Sequence, residues 1–433
     1  MKYFLTSIIV FLIVCLQNNI LLAQVSLLEL LKENEKKHQH HSGLILLDAT
    51  SGKIVVDFNA NKNFIPASNF KILTLFTSLH FFGDSIPALE YFVQGDNLYF
   101  RGTGDPAFLH PKFKDQPALV FLKESDKNLY YVHQDLEDDL YGPGWAWEDY
   151  VEDFSPERSV LPMYGNVVWI KSRAKLPCCD IMPTYFENAV DVHVSIMQKK
   201  NKLERHLYRN VFDLTLPVSN SKVDIQVPWR NSKQVVTTLL KDTIDLQGVA
   251  IAPENAQWKT IYRQKSTSLY KHMMYESDNF FAEQLLLMAS KSVADTMKIE
   301  AGIRYFKENL APLADEKIKW LDGSGLSRYN LIKPAIMGEV LKNMYQTIPQ
   351  NILFTYFPTG GRHGTLSNLF VASQPYVFAK SGSMSQVYNL SGFIVAKSGK
   401  TYIFSFMNNS LHTAVKDYKK DAEQIINAIY ELY

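Results

Sequence analysis

Ser68 and Lys71 stand three positions apart in Pro66-Ala67-Ser68-Asn69-Phe70-Lys71, at the head of an apolar run from Ile72 to Leu79. On a helix, side chains so spaced share one face about one turn apart. A hydroxyl then lies beside an amine that can take its proton. Ile72, Leu73, Leu75, Phe76 and Leu79 are the residues that bury such a helix, so the pair is expected on a rigid element. Partial burial of Lys71 lowers its pKa and supplies the neutral amine that a general base requires. The positive end of the helix dipole favours a developing oxyanion. The expectation is a nucleophilic Ser68 with Lys71 as its base. Spacing alone decides nothing, because Ser-x-x-Lys recurs at Ser172/Lys175, Ser219/Lys222 and Ser268/Lys271. Its bland reading is a solvated pair on a surface helix.

Two further patterns single out the first. Ser277-Asp278-Asn279 precedes an apolar helix from Phe280 to Leu287 and is the sole Ser-x-Asn of the chain. At a helix entry, Ser277 can relay a proton to a leaving amine, and the Asn279 amide can donate to a substrate carbonyl and to Lys71. The plain alternative is a helix cap, for which all three residue types serve. Lys380-Ser381-Gly382-Ser383 follows the strand-like Tyr376-Val377-Phe378-Ala379. Lys380 and the Ser381 hydroxyl there suit a substrate carboxylate, and Gly382 admits a close backbone approach. The amide of Ser383 can join that of Ser68 as an oxyanion hole. Lys397-Ser398-Gly399 repeats the letters but reads as a hairpin turn.

These residues need a frame. Leu44–Leu47 and Ile54–Phe58 read as a hairpin, and Phe393–Ala396 with Tyr402–Met407 as a second one near the other end. A helix over 26–37 and a striped helix from about Ala414 (Ala422, Ile425, Ile426, Ile429, Leu432) flank them. Together they predict an α+β layer, one antiparallel sheet carrying helices, built from both ends of the chain. The domain division expected is 24–82 with 262–433 as a discontinuous catalytic domain. Residues 83–261 are expected as an insertion of one or two strand-rich subdomains, with short strand-like pieces and turns at Asn97–Phe100, Gly102–Pro106, Leu129–His133, Val167–Lys171 and Val211–Pro217, and a strand at Gly248–Ala252.

With 433 residues, 46% hydrophobic, the chain exceeds one simple domain. Lys+Arg 45 against Asp+Glu 44 argues against a nucleic-acid partner. Residues 1–23, with Lys2 before an apolar core from Phe4 to Leu16, read as a secretory signal peptide; a retained membrane anchor is the alternative. After cleavage Cys178 and Cys179 remain. Adjacent cysteines make a strained ring, so they are expected unpaired or oxidised late. His38, His40 and His41 suggest a metal less than a solvated helix end, and no metal or cofactor is expected at the reaction centre.

The ordered set Ser68…Lys71, Ser277…Asn279 and Lys380…Gly382 resembles the active-site serine penicillin-recognising enzymes. Within them it is similar to the D-alanyl-D-alanine carboxypeptidase/endopeptidase family, low-molecular-mass penicillin-binding proteins of peptidase family S13. Gly102–Pro106, Gly144–Asp149, Asp322–Arg328, Gly364–Leu366 and Val387–Gly392 carry the likeness further. The resemblance implies a transpeptidase/β-lactamase-like domain with a long insertion between the first and second motifs. It implies Ser68 as the acylated nucleophile, Lys71 as proton acceptor, Ser277 and Asn279 as second motif and Lys380 as carboxylate anchor. Asp149, Phe154 and Arg328 fall where family members bind the peptide stem. The implied partners are peptidoglycan peptides ending in D-Ala–D-Ala, with β-lactams as inhibitors, in the periplasm. Two departures stand out: Ser381 where the family usually has Thr, and Ser385 where relatives tend to have Gln. The competing readings are a secreted wall-binding protein with a degenerate site and a β-lactamase. A class A β-lactamase carries a Glu-x-x-x-Asn type segment after the second motif; between Asn279 and Lys380 the letters occur only at Glu339…Asn343, inside the helix that Lys333-Pro334 opens. Oligomeric state is not legible.

Overall fold

The computed structural model describes residues 24–172, 179–218, 222–311 and 318–433. The leader expected over 1–23, with Cys15, lies outside them, as does Cys178. The helices in chain order are α1 (residues 24–38), α2 (Lys71–Phe82), α3 (Pro117–Lys123), α4 (Lys233–Lys241), α5 (Thr267–Tyr275), α6 (Asn279–Ala294), α7 (Ile299–Tyr305), α8 (Pro334–Thr347), α9 (Gln350–Leu353) and α10 (Val415–Leu432). No helix among the described residues is long and apolar enough to cross a membrane.

Both expected hairpins form. β1 (His41–Asp48) turns into β2 (Ile54–Phe58), and β15 (Val387–Val395) turns into β16 (Thr401–Asn409). The second turn passes through Gly399 at φ +83°, a conformation open to glycine. With β14 (Val377–Met384) they make one antiparallel sheet in the order β14-β15-β16-β1-β2. β1 pairs with β16 from His41 opposite Asn409 to Asp48 opposite Tyr402, so the two ends of the chain close one layer. The fold is α+β, as the sequence predicts.

Both faces of this sheet are covered, which is why its strands read as nearly continuous apolar runs. Leu44 and Leu46 face α1 and α10, packing with Leu27, Leu31, Ile425 and Ile426. Ile45 and Leu47 face the other way, into a core shared with α2, α6 and α8. The α10 side corrects one expectation. His38 and His40 are only 8% and 5% exposed rather than solvated. Their rings pack edge-on against Tyr418, and His40 Nε2 lies 2.8 Å from Ser42 Oγ. Burial pushes His40 down to about 4, so it is a neutral bridge between sheet and helix.

The strands between the first two motifs build three sheets of their own. β3 (Ser85–Gln94), β4 (Asn97–Arg101), β5 (Asn128–Val132), β12 (Leu246–Ala250) and β13 (Lys259–Gln264) lie in the order β12-β5-β4-β3-β13. β6 (Val167–Ser172), β7 (Cys179–Met182) and β11 (Asp224–Pro228) form a second sheet, and β8 (Val190–Ser195), β9 (Lys202–Arg205) and β10 (Phe212–Pro217) a third. They share a separate core that includes Phe100, Tyr131, Ile170, Phe186 and Trp229. Gly102–Pro106 is a loop. A Cβ on Gly102 would lie 2.2 Å from the Val160 carbonyl oxygen, and the Gly104 N–H bonds that same oxygen instead of a strand. Cys179 is disulfide-bonded, the oxidised of the two states expected for it.

Candidate active site

The nucleophile turn is a short 3₁₀ segment, Ala67–Phe70, running straight into α2. Most of α2 is buried, including Lys71, so the lysine is held by packing on every side. Its Nζ meets three oxygens: Asn279 Oδ1 at 2.6 Å, the Ser324 carbonyl at 2.8 Å and Ser68 Oγ at 3.0 Å. Two of these can only accept. As a neutral amine, Lys71 gives its two hydrogens to them and turns its lone pair to the Ser68 hydroxyl. Burial drives its pKa down to about 8, against the pull of Asp278, Glu283 and Asp322. That is the state of a working base.

The second motif is both a cap and a pair of functional side chains. Asp278 caps α6, accepting from the Phe281 N–H at 2.9 Å. Ser277 holds a left-handed φ of +58° just ahead of it, and its Oγ accepts from Lys380 Nζ at 2.9 Å. Asn279 corrects the expected direction of bonding. Lysine has no acceptor, so the Asn oxygen faces Lys71, and Nδ2 donates to the Phe154 carbonyl at 3.0 Å. The amide ties α6 to the strand-rich region.

The third motif lies on β14, at the edge of the sheet. Lys380 is fully buried, with Nζ also 2.8 Å from the Ser381 carbonyl. Burial, then the charge of Lys71, push it well below its ordinary pKa. The Ser381 hydroxyl donates to Thr365 Oγ1 at 2.6 Å. The Ala379 N–H points away from β15, to the Pro358 carbonyl. Strand alternation turns the Ser383 N–H to the same open side, beside Ser68. Gly382 has a different role from the one expected. A Cβ there would lie 2.5 Å from the Pro66 carbonyl oxygen, so glycine lets β14 close on the nucleophile turn rather than on a ligand.

Further buried groups hold these parts in place. Asn69 donates to the Lys380 carbonyl at 2.7 Å and accepts from Ser391 Oγ at 2.8 Å. Asn389 donates to the carbonyls of Ile65 and Pro66. Arg158 pairs with Glu283 at 2.7 Å, both fully enclosed. Glu283 in turn accepts from the N–H groups of Gly323 and Ser324, the residue whose carbonyl holds Lys71. Asp322 accepts from Gly325 and Ser327 N–H and from the indole of Trp145.

In front of Ser68 opens a cleft of about 510 Å³. Asp149, Phe154, Asn279, Arg328 and Ser383 line it with the nucleophile. The structure thus gathers every site residue named from sequence: Ser68, Lys71, Ser277, Asn279, Lys380, Ser381, Gly382 and Ser383 around the serine, the other three along the cleft. Partial burial and Glu148 raise Asp149, opposed by Arg328. Glu148, Met384 and Ser385 also line the cleft.

A family model described as "D-Ala-D-Ala carboxypeptidase 3 (S13) family" matches residues 23–429. The chain belongs to this family. Relatives span comparable lengths. D-alanyl-D-alanine carboxypeptidase DacB of Haemophilus influenzae is 24% identical, covering 90% of this chain and 90% of its own. Penicillin-sensitive carboxypeptidase A of Dictyostelium discoideum is 23% identical, covering 79% of this chain and 76% of its own. Among solved structures, penicillin binding protein 4 from Haemophilus influenzae superposes with a TM-score of 0.74 at 21% identity, over 92% of this chain and 99% of that one. The S13 assignment agrees with a serine hydrolase whose nucleophile turn is clamped between α6 and the β14 edge.

Proposed function

We propose that this S13 enzyme hydrolyses the terminal D-Ala–D-Ala bond of peptidoglycan stem peptides, or an equivalent D-amino-acid crosslink, through an acyl-enzyme on Ser68. The observation that carries the reading is the buried Lys71 amine, 3.0 Å from Ser68 Oγ with its other contacts taken by obligate acceptors.

Lys71 takes the Ser68 proton as Oγ attacks the carbonyl carbon of the penultimate D-Ala. The N–H groups of Ser68 and Ser383 receive the developing oxyanion. Ser277 Oγ, bonded to Lys380, passes a proton to the departing amine. The terminal carboxylate is drawn to the Lys380 charge and the Ser381–Thr365 hydroxyl pair. Water then attacks the ester, with Lys71 returning to its role as base. Asp149 and Arg328 offer opposite charges to the polar groups of the peptide stem. β-Lactams acylate the same serine. We place the protein in the periplasm, delivered by the leader read over residues 1–23.

Release of D-alanine from a diacetylated Lys-D-Ala-D-Ala tripeptide tests the reading. Wild type is expected to release it, and Ser68→Ala to fall by about 10⁴-fold or more, in line with loss of a nucleophile. Turnover by the Ser68→Ala protein at the wild-type rate would overturn it.

A further inference from the structure

A second cavity of about 370 Å³ lies on the other side of the segment that carries Asp149. The side chains of the short helical turn Trp147–Val151 divide between the two spaces. Glu148 and Asp149 line the catalytic cleft, while Trp147 and Tyr150 line the second cavity. One wall of five residues therefore separates them.

The lining of this cavity is that of a ligand site. Trp147 and Tyr208 are 70% and 76% exposed at its mouth, an arrangement of large rings that packing does not require. Trp145 and Tyr150 add further aromatic surface, with Trp147 stacked on Tyr150 at 5.7 Å. Arg205 also lines it, with a side chain only 1% exposed. One of its terminal nitrogens bonds the Tyr150 carbonyl and the other lies 3.8 Å from Glu157. Its Nε is enclosed by protein and is not open to the cavity.

We propose that this cavity binds the glycan strand of the substrate, as a chain of N-acetylated hexoses. The inference rests on the peptidoglycan reading above, since a stem peptide in the catalytic cleft is tethered to such a chain. Flat aromatic rings take the C–H faces of pyranoses, and the half-buried Arg230 guanidinium that also lines the cavity offers donors to an acetamido carbonyl or ring hydroxyl. The common wall places glycan and peptide side by side.

The test is a titration of the full chain with tetra-N-acetylchitotetraose, followed by intrinsic tryptophan fluorescence, since Trp145 and Trp147 both line the cavity. Wild type is expected to show a saturable change. Tyr208→Ala is expected to weaken it by about five- to tenfold, the worth of one aromatic contact, and Tyr208→Phe to retain it. The Tyr208 ring is exposed, so its loss does not threaten folding. No saturable response in wild type, or an unaltered one in Tyr208→Ala, overturns the proposal. A response to the D-Ala–D-Ala tripeptide in place of the saccharide overturns it equally. The readout needs no turnover, so failure of the peptidase reading and failure of the glycan site are seen separately.

Discussion

Lys71 sets the pH dependence of the reaction. With its pKa held at about 8 by burial, roughly a tenth of the enzyme carries the neutral amine at pH 7. Only that form accepts the Ser68 proton. Acylation is therefore expected to rise about tenfold per unit below pH 8 and to level off above it. Lys71→Arg, which cannot lose its proton in this range, should lose about 10²–10⁴-fold in acylation rate. Stopped-flow acylation by a chromogenic β-lactam from pH 6 to 9 measures both; a flat wild-type profile contradicts the assignment. Ser68, Lys71, Ser277, Asn279 and Lys380 were legible because each is half of a short local pattern. Asn69, Arg158 and Glu283 were not. Their partners lie far along the chain, as with Arg158 and Glu283, 125 residues apart, and no period or spacing marks such a pair. The direction of the Asn279 amide was also hidden, because only the folded site shows which group already occupies Nδ2.

At the scale of elements, the site is a seam between the nucleophile turn, the α6 entry and the β14 edge. Gly382 controls how closely the seam shuts, since any side chain there meets backbone rather than a movable side chain. Gly382→Ala is expected to force β14 away from Pro66, to cost about 1–3 kcal/mol of stability as an overpacked contact, and to slow acylation. Thermal melting together with the acylation rate reads both; an unchanged melting temperature and rate would show that the two backbones are not held in contact. Strands and helices of the central layer were readable because they are long and apolar on a fixed period. The loop at Gly102–Pro106 depends on a partner that no local pattern shows, the Val160 carbonyl, which Gly102 approaches closely. The burial of His38 and His40 escaped the sequence for a similar reason: α10, which covers them, lies at the far end of the chain.

At the scale of the molecule, the strand-rich region is bonded directly into the catalytic centre. Phe154 holds Asn279, Arg158 holds Glu283, and Trp145 holds Asp322. Asp278, at the same junction, links acid stability to the site. Burial works to raise its pKa, but the hydrogen bond and charge of His272 and the Phe281 N–H prevail and hold it at about 2. A carboxyl depressed in the folded state stabilises the protein above pH ~4 and loses that contribution as pH falls through about 2. The loss is about 2 kcal/mol. Asp278→Asn keeps a good helix cap and removes the charge, so urea unfolding at pH 5 and pH 2 should show a smaller acid loss in the variant. An equal loss in both would place the acid sensitivity elsewhere. The family resemblance legible in three ordered motifs extends over this whole assembly, while adjacent cysteines left two states open for Cys179, of which the oxidised one is found. The most direct test of the central claim is an intact-mass spectrum after brief exposure to benzylpenicillin, for wild type and Ser68→Ala. A stoichiometric, long-lived adduct that maps to Ser68 and vanishes in the variant is the predicted result; an unmodified wild type, or an adduct that survives in Ser68→Ala, would contradict it.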